Sequence, residues 1–166
     1  TDMRPLFCQF LKKEFGLNEK CLPVGMSCGG MQAVYFAAKY PEYIAALYLD
    51  APVLNLLSWP LGLGESKFPS VDEFNRDIGT SLSDMINYRN HPIDQKEKLL
   101  KSEIPIFLVC GGSDSVVPYS ENGKLLSDYF REKGGNLSEI LKPNCDHHPH
   151  GLEDLTPLIE FAKKYY

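Results

Sequence analysis

The sequence predicts an α/β fold in which helices flank a parallel sheet. Two observations lead to this prediction. Short apolar runs alternate with helical segments along the 166 residues, and the runs are apolar throughout, as is typical of strands buried on both faces. Strands that alternate with helices form parallel sheets, because each helix returns the chain to the same end of the sheet. With 43% hydrophobic and 23% charged residues, residues 1–166 are predicted to form one domain.

The first half of the chain has the predicted order helix, strand, helix, strand. Apolar residues at helical spacing over 3–15 predict an amphipathic helix that ends at Gly16. The apolar run 21–26 predicts a buried strand. Residues 28–40 are rich in helix formers, and the apolar run 44–49 predicts a second strand of parallel type.

The second half continues the alternation. Its predicted elements are strand 106–110, helix 120–133, a weaker strand at 139–141 and helix 157–165. Gly134 and Gly135 provide a natural C-cap for the first of these helices. Thr156 is expected to be the N-cap of the last helix, with Pro157 at its first position.

Residues 53–101 interrupt the alternation, and we expect a lid-like insertion here. A long insertion after the carboxyl end of a strand commonly serves as a lid or binding loop. Trp59 and Leu61, with Leu63 and Phe68, are candidates for an apolar wall that binds substrate. The alternative is that these side chains form the small core of the insertion itself.

Composition and charge exclude several functions. The formal net charge is −5 with scattered lysines and arginines, so we expect no nucleic-acid partner. The apolar stretches are far shorter than the roughly 20 residues that span a bilayer, so we expect no membrane span. Five cysteines without a CxxC pair favour free thiols in a reducing, cytoplasmic compartment.

A serine lies between two glycines at the junction of a predicted strand and a predicted helix, in the sequence Gly25-Met26-Ser27-Cys28-Gly29. This pattern predicts a nucleophile elbow, in which Ser27 occupies a strained turn and Gly25 and Gly29 avoid crowding. The following helix directs its first N–H groups towards the site, so the Cys28 N–H is a candidate oxyanion donor. The alternative is a purely structural turn of small residues.

A nucleophilic serine needs a base, and the base needs a carboxylate that orients it. Asp50 and Asp114 each follow a predicted strand and are the candidate acids. The candidate bases His147, His148 and His150 follow the last predicted strand. The segment 145–150 also contains a cysteine and an aspartate, but we expect no metal or other cofactor, because ligands so close in one segment do not form a tetrahedral site by themselves.

These motifs resemble the α/β-hydrolase superfamily of serine hydrolases, in particular small microbial esterases that include carbohydrate acyl esterases and dienelactone-hydrolase relatives. Residues 111–118 resemble the superfamily's acid loop, Gly-x-x-Asp-x-x-Val-Pro, and 142–154 resemble its histidine loop. The chain order Ser, Asp, His is also that of the superfamily. The resemblance implies a catalytic triad of Ser27, Asp114 and His147, with His148 as the next candidate base.

The resemblance further implies an acyl-enzyme mechanism that cleaves a small-molecule carboxylic ester. An acyltransferase, a thioesterase or a peptidase would use the same triad, and a non-catalytic binding module could retain the fold. The superfamily has strands and a second oxyanion donor before the elbow strand, and this sequence has neither. We therefore expect the C-terminal portion of the fold, incomplete at the N-terminus, with a preceding segment or second chain completing the sheet. Such a segment could carry a signal peptide, which leaves the compartment open.

Overall fold

Four parallel strands form the centre of the fold in a computed structural model, which describes residues 2–166 without the side chains of residues 73, 77 and 78. Thr1, the first residue of the predicted domain, lies outside the described residues. The strands are β1 (Val24–Met26), β2 (Leu47–Asp50), β3 (Ile106–Gly111) and β4 (Leu137–Lys142), and they lie side by side in chain order. Every pairing is parallel. The predicted parallel α/β architecture is therefore confirmed.

Within residues 2–166, seven α-helices connect and cover the strands. They are α1 (Met3–Phe15), α2 (Cys28–Lys39), α3 (Val71–Ile78), α4 (Leu82–Asn87), α5 (Lys96–Lys101), α6 (Gly123–Lys133) and α7 (Thr156–Tyr165). Gly16 and Gly134 adopt the left-handed conformation at the ends of α1 and α6, as C-capping glycines do. The predicted cap of α7 is displaced by one residue, because Leu155 is the N-cap and Thr156 is already helical.

The first two strands are shorter than predicted at their amino ends. The apolar run 21–26 pairs continuously only from Val24, and Cys21 makes an isolated parallel bridge to Ile44. Pro23 lies between the two pairings and has no N–H to donate, which interrupts the ladder. The second strand accordingly begins at Leu47.

The sheet has a buried core on each face, because successive strand residues point to opposite sides. On one face Leu49 and Leu108 pack with residues of α2, α5 and α6, including Phe36, Leu99 and Phe130. On the other face a second cluster forms beneath α7. Its buried members are Ala46, Tyr48, Phe107, Val109 and Phe161. Both faces of β2 and β3 are thus covered, which explains why these strands are apolar apart from Asp50 at the end of β2.

β1 lies at one edge of the sheet. Within the described residues it pairs with β2 alone, and Val24 and Met26 are 58% and 43% exposed. Beside this edge, α1 also exposes apolar side chains, among them Phe7 and Phe10. The expectation that a preceding segment or a second chain completes the sheet stays a prediction. None of the described helices is long and apolar enough to span a membrane.

The insertion 53–101 contains α3, α4 and α5 and has a small core of its own. Its buried members are Val53, Leu56, Leu61 and Met85, which meet Val117 of the loop after β3. Leu61 is 3% exposed, and Trp59 packs against the cluster while its indole N–H donates to the carbonyl of Phe68. The structure thus gives Trp59 and Leu61 a packing role, and their contact with a substrate stays a prediction.

Candidate active site

The candidate residues meet at the carboxyl edge of the sheet. In a parallel sheet the carboxyl ends of all strands lie at one edge, where α/β folds bind their ligands. Ser27 directly follows β1, Asp50 is the last residue of β2, Asp114 follows β3, and His147 follows β4. Four loops that are distant in sequence therefore converge on one place.

Ser27 occupies the strained turn that the elbow motif predicts. Its backbone has φ 50° and ψ −121°, a conformation that costs a non-glycine residue on the order of 1–3 kcal/mol and persists only where its surroundings impose it. The Ser27 N–H donates to the carbonyl of Asp50 over 3.0 Å, and its carbonyl accepts from Gly30 and Val53 over 2.9 and 3.0 Å. These hydrogen bonds hold the turn in place and leave the serine side chain partly exposed.

The glycines of the elbow differ in whether a side chain would fit at their positions. A Cβ on Gly25 would lie 2.8 Å from the Cα of Gly30, and a Cβ on Gly30 would lie 2.4 Å from the Cβ of Pro52. A Cβ on Gly29 would have no atom within 4 Å. The prediction that Gly29 prevents crowding is therefore wrong. Gly30 has that role, because α2 packs closely on the loop after β2.

Ser27, His147 and Asp114 form a continuous hydrogen-bonded line. The Nε2 atom of His147 lies 3.0 Å from the Oγ of Ser27, and its Nδ1 lies 2.8 Å from Oδ2 of Asp114. The His147 and Asp114 side chains are only 8% and 1% exposed. The carboxylate accepts from Nδ1–H, which leaves the Nε2 lone pair facing the serine hydroxyl. This is the geometry of a nucleophile, its base and an orienting acid.

Asp114 is held in place by its own loop. Its Oδ1 accepts the N–H groups of Val116 and Val117 over 2.9 and 2.8 Å, while Oδ2 is the oxygen that accepts from His147. The Asx-type turn that a loop aspartate often makes and the contact with the histidine therefore use different oxygens. The turn fixes the carboxylate for the histidine.

Asp146 connects the histidine loop to the acid loop. Its Oδ1 accepts the N–H groups of Ser115 and His147, both over 2.7 Å. These backbone donors, that of Ser115 foremost, lower the pKa of the exposed Asp146 carboxyl below its ordinary value. The sequence drew attention to Asp146 only as the residue before the base. Its carboxylate orients the backbone that carries His147.

Asp50, the alternative acid, pairs with a different histidine. Its Oδ1 lies 3.1 Å from Nδ1 of His150, and its Oδ2 accepts from the N–H of Gly151 and the hydroxyl of Tyr48. Burial, assisted by the contact with Asp50, raises the pKa of Tyr48, so the phenol remains a donor. The structure therefore separates the two acids: Asp114 meets His147, and Asp50 meets His150.

The remaining candidates lie around this line. Cys28 is the first residue of α2, so its N–H lies beside Ser27 at the positive end of the helix dipole. His148 is exposed, and its ring lies 5.0 Å from that of His147. The sulfur of Cys145 lies 3.8 Å from the carbonyl of His148. An apolar groove against α1 is lined by Leu6, Phe7 and Phe36 among others, and Ser27, Asp114 and His147 are not among its lining residues.

A sequence model of the prolyl oligopeptidase family matches residues 6–166, nearly the whole chain. The chain belongs to the prolyl oligopeptidase family. Among solved structures, this family member resembles MPT51 (FbpC1) of Mycobacterium tuberculosis, with a TM-score of 0.62 and 15% identity over 86% of this chain and 58% of that chain. A search of curated proteins finds no match.

The two matches confirm the predicted α/β-hydrolase fold, of which this four-stranded sheet is a part. At 15% identity the likeness to MPT51 shows the fold alone. The chain spans 58% of the length of that structure. The activity, substrate and partners of this prolyl oligopeptidase family member are therefore inferred from the geometry of its own site.

The contact between Gly30 and Pro52 allows a matched test of the elbow. We expect Gly30→Ala to lower the free energy of unfolding by about 1–3 kcal/mol, because the added methyl group overpacks a rigid contact. We expect Gly29→Ala to leave it unchanged within about 0.5 kcal/mol or to raise it slightly, because alanine is the better helix former. Equilibrium urea unfolding measures both. Equal effects of the two substitutions would contradict the assigned packing.

Proposed function

We propose that the protein is a serine hydrolase that cleaves a carboxylic ester through an acyl-enzyme on Ser27. The observation that carries the proposal is the line from Asp114 through His147 to Ser27, with contacts of 2.8 and 3.0 Å. An isolated serine hydroxyl is a weak nucleophile, and this arrangement supplies the base and the orienting carboxylate that it needs. Membership of the prolyl oligopeptidase family supports a hydrolase.

In the first half of the proposed reaction, Ser27 is acylated. Nε2 of His147 accepts the serine proton as Oγ attacks the carbonyl carbon, and Asp114 stabilises the imidazolium that forms. The tetrahedral intermediate then collapses. Nε2 returns the proton to the leaving alcohol, and the acyl group stays on Oγ as a new ester.

The second half repeats these steps with water. His147 removes a proton from the water molecule that attacks the acyl carbonyl, and then returns a proton to Oγ as the carboxylic acid leaves. Atoms balance over the cycle, since one water is consumed and the ester yields one alcohol and one acid. In the proposed reaction the Cys28 N–H, at the first residue of α2, donates to the oxyanion in both halves.

Peptide hydrolysis is the second candidate, and the family match favours it. The same triad serves both reactions, but an ester makes the smaller chemical demand. Its alkoxide departs more readily than an amine, which must be protonated to leave. An acyltransferase would differ only in the nucleophile that receives the acyl group. We therefore propose an ester as the substrate, and amide hydrolysis is the reaction to be compared.

Ester and amide substrates with matched acyl groups test the proposal directly. We expect the protein to hydrolyse p-nitrophenyl butyrate faster than the p-nitroanilide of the same acid. We expect Ser27→Ala to lower kcat/KM for the ester by at least about 1,000-fold, the scale on which triad serines act. Initial rates at 405 nm measure both. Preferential cleavage of a peptide anilide would establish a peptidase instead. Equal rates of ester hydrolysis in the wild type and Ser27→Ala would contradict the serine mechanism.

The two buried aspartates allow a second, internally controlled test. We expect Asp114→Asn to lower kcat for the ester by about 10,000-fold, because the amide no longer holds His147 in the tautomer that accepts the serine proton. Asp50→Asn should lower kcat far less, since its partner is His150. Circular dichroism must show both variants folded. A larger loss in Asp50→Asn would contradict the assignment of the acid.

A further inference from the structure

The histidine loop brings three imidazoles together at the candidate active site. One nitrogen of each of His147, His148 and His150 lies within 4.8 Å of the others, and the three rings pack edge to face with centroids 4.7–5.0 Å apart. The close spacing of these residues in one segment predicts no tetrahedral metal site built from this segment alone. The folded loop makes them converge.

Hydrogen bonds decide which nitrogen atoms are available. Nδ1 of His147 is occupied by Asp114 and Nδ1 of His150 by Asp50, which leaves Nε2 of these two residues as the nitrogen that can bind a metal. Nε2 of His147 also contacts Oγ of Ser27. The exposed fractions of the His147 and His150 side chains are 8% and 18%, and His148 is exposed. The cluster is therefore open to ions from solution on the side of His148.

Asp50 and Asp114 supply carboxylates that can accept hydrogen bonds from the metal-binding histidines. Histidines that bind zinc usually donate their other ring N–H to a carboxylate or carbonyl, which fixes the tautomer and makes the ligand more basic. Asp114 and Asp50 make this contact to His147 and His150, and both carboxylate side chains are only 1% exposed. Two carboxylates below three imidazoles favour a dication.

We propose that His147, His148 and His150 form a binding site for a zinc ion, and that zinc opposes the triad. Three imidazoles with a further open position are a common zinc ligand set. Zinc–nitrogen bonds of about 2.0–2.1 Å require the nitrogen atoms to approach by up to about 1.5 Å, a movement that the exposed His148 side chain can supply.

Zinc must act against ester hydrolysis because it needs the atom that serves as the base. Nε2 of His147 is the atom that lies 3.0 Å from Oγ of Ser27. A lone pair bound to zinc cannot accept the serine proton, so the zinc-bound protein is inactive and removal of the ion restores the base. The inhibitory effect rests on the proposed function, whereas the binding site does not.

Zinc chloride titrated into the intact, chelator-treated protein tests the binding site by calorimetry. We expect one zinc ion per chain. We expect His148→Ala to weaken binding at least tenfold through loss of a ligand, and Asp50→Asn to weaken it about 10- to 100-fold through loss of the carboxylate behind His150. Cys145→Ser is the matched control, because its thiol is another potential zinc ligand in the loop and lies beside the carbonyls of His148 and Pro149. It should bind zinc like the wild type.

Ser27→Ala separates the site from the proposed hydrolase, since it should bind zinc at least as tightly as the wild type. Zinc should inhibit p-nitrophenyl butyrate hydrolysis with a midpoint concentration equal to its Kd. For His148→Ala, with rates expressed as a fraction of the metal-free rate of that variant, the midpoint zinc concentration should be at least tenfold higher than for the wild type. Three results would overturn the binding site. They are the absence of saturable zinc binding, an unchanged affinity in His148→Ala, and a loss of binding in Cys145→Ser. Activation by zinc would overturn its opposition to the triad. An inactive protein that still binds zinc would count only against the hydrolase.

Discussion

The arrangement of the site depends on one constraint, the alignment of four parallel strands at their carboxyl ends. The register places Met26 opposite Asp50, Asp50 opposite Val109, and Gly111 opposite Lys142. The loops that follow therefore begin at nearly the same level. The close approach continues beyond the strands, because a Cβ on Gly111 would lie 2.5 Å from the carbonyl oxygen of Cys145. Asp114 and His147 meet because Gly111 allows the loops after β3 and β4 to approach this closely.

The histidine loop then combines several tasks in a few residues. Asp146 attaches the loop to Ser115, while Asp114 and Asp50 each orient one histidine from below. In the proposed hydrolysis this construction prepares Nε2 of His147 as the base for Ser27. In the proposed zinc site the same oriented nitrogen, with two further imidazoles beside it, binds the ion. The two proposals thus rest on one arrangement of the histidine loop.

Much of the fold could be predicted from the sequence, because strands buried on both faces and amphipathic helices leave strong patterns. The elbow was also predictable, since Gly25 and Ser27 lie where a strand passes into a helix. The partner of Asp50 could not be predicted, because it depends on how the loop after β4 folds back over the sheet. The role of Gly30 was missed for a similar reason. Only the packing of α2 on Pro52 distinguishes it from Gly29.

Activation of Ser27 by His147 is measured most directly by the rate at which a fluorophosphonate labels the serine covalently. Peptide mapping should find a single adduct, on the peptide that contains Ser27, and none in Ser27→Ala. The labelling rate should fall at least about 100-fold in His147→Gln, which removes the base and retains a polar side chain. A folded wild-type protein that is not labelled at Ser27, or a His147→Gln variant that is labelled equally fast, would contradict the account.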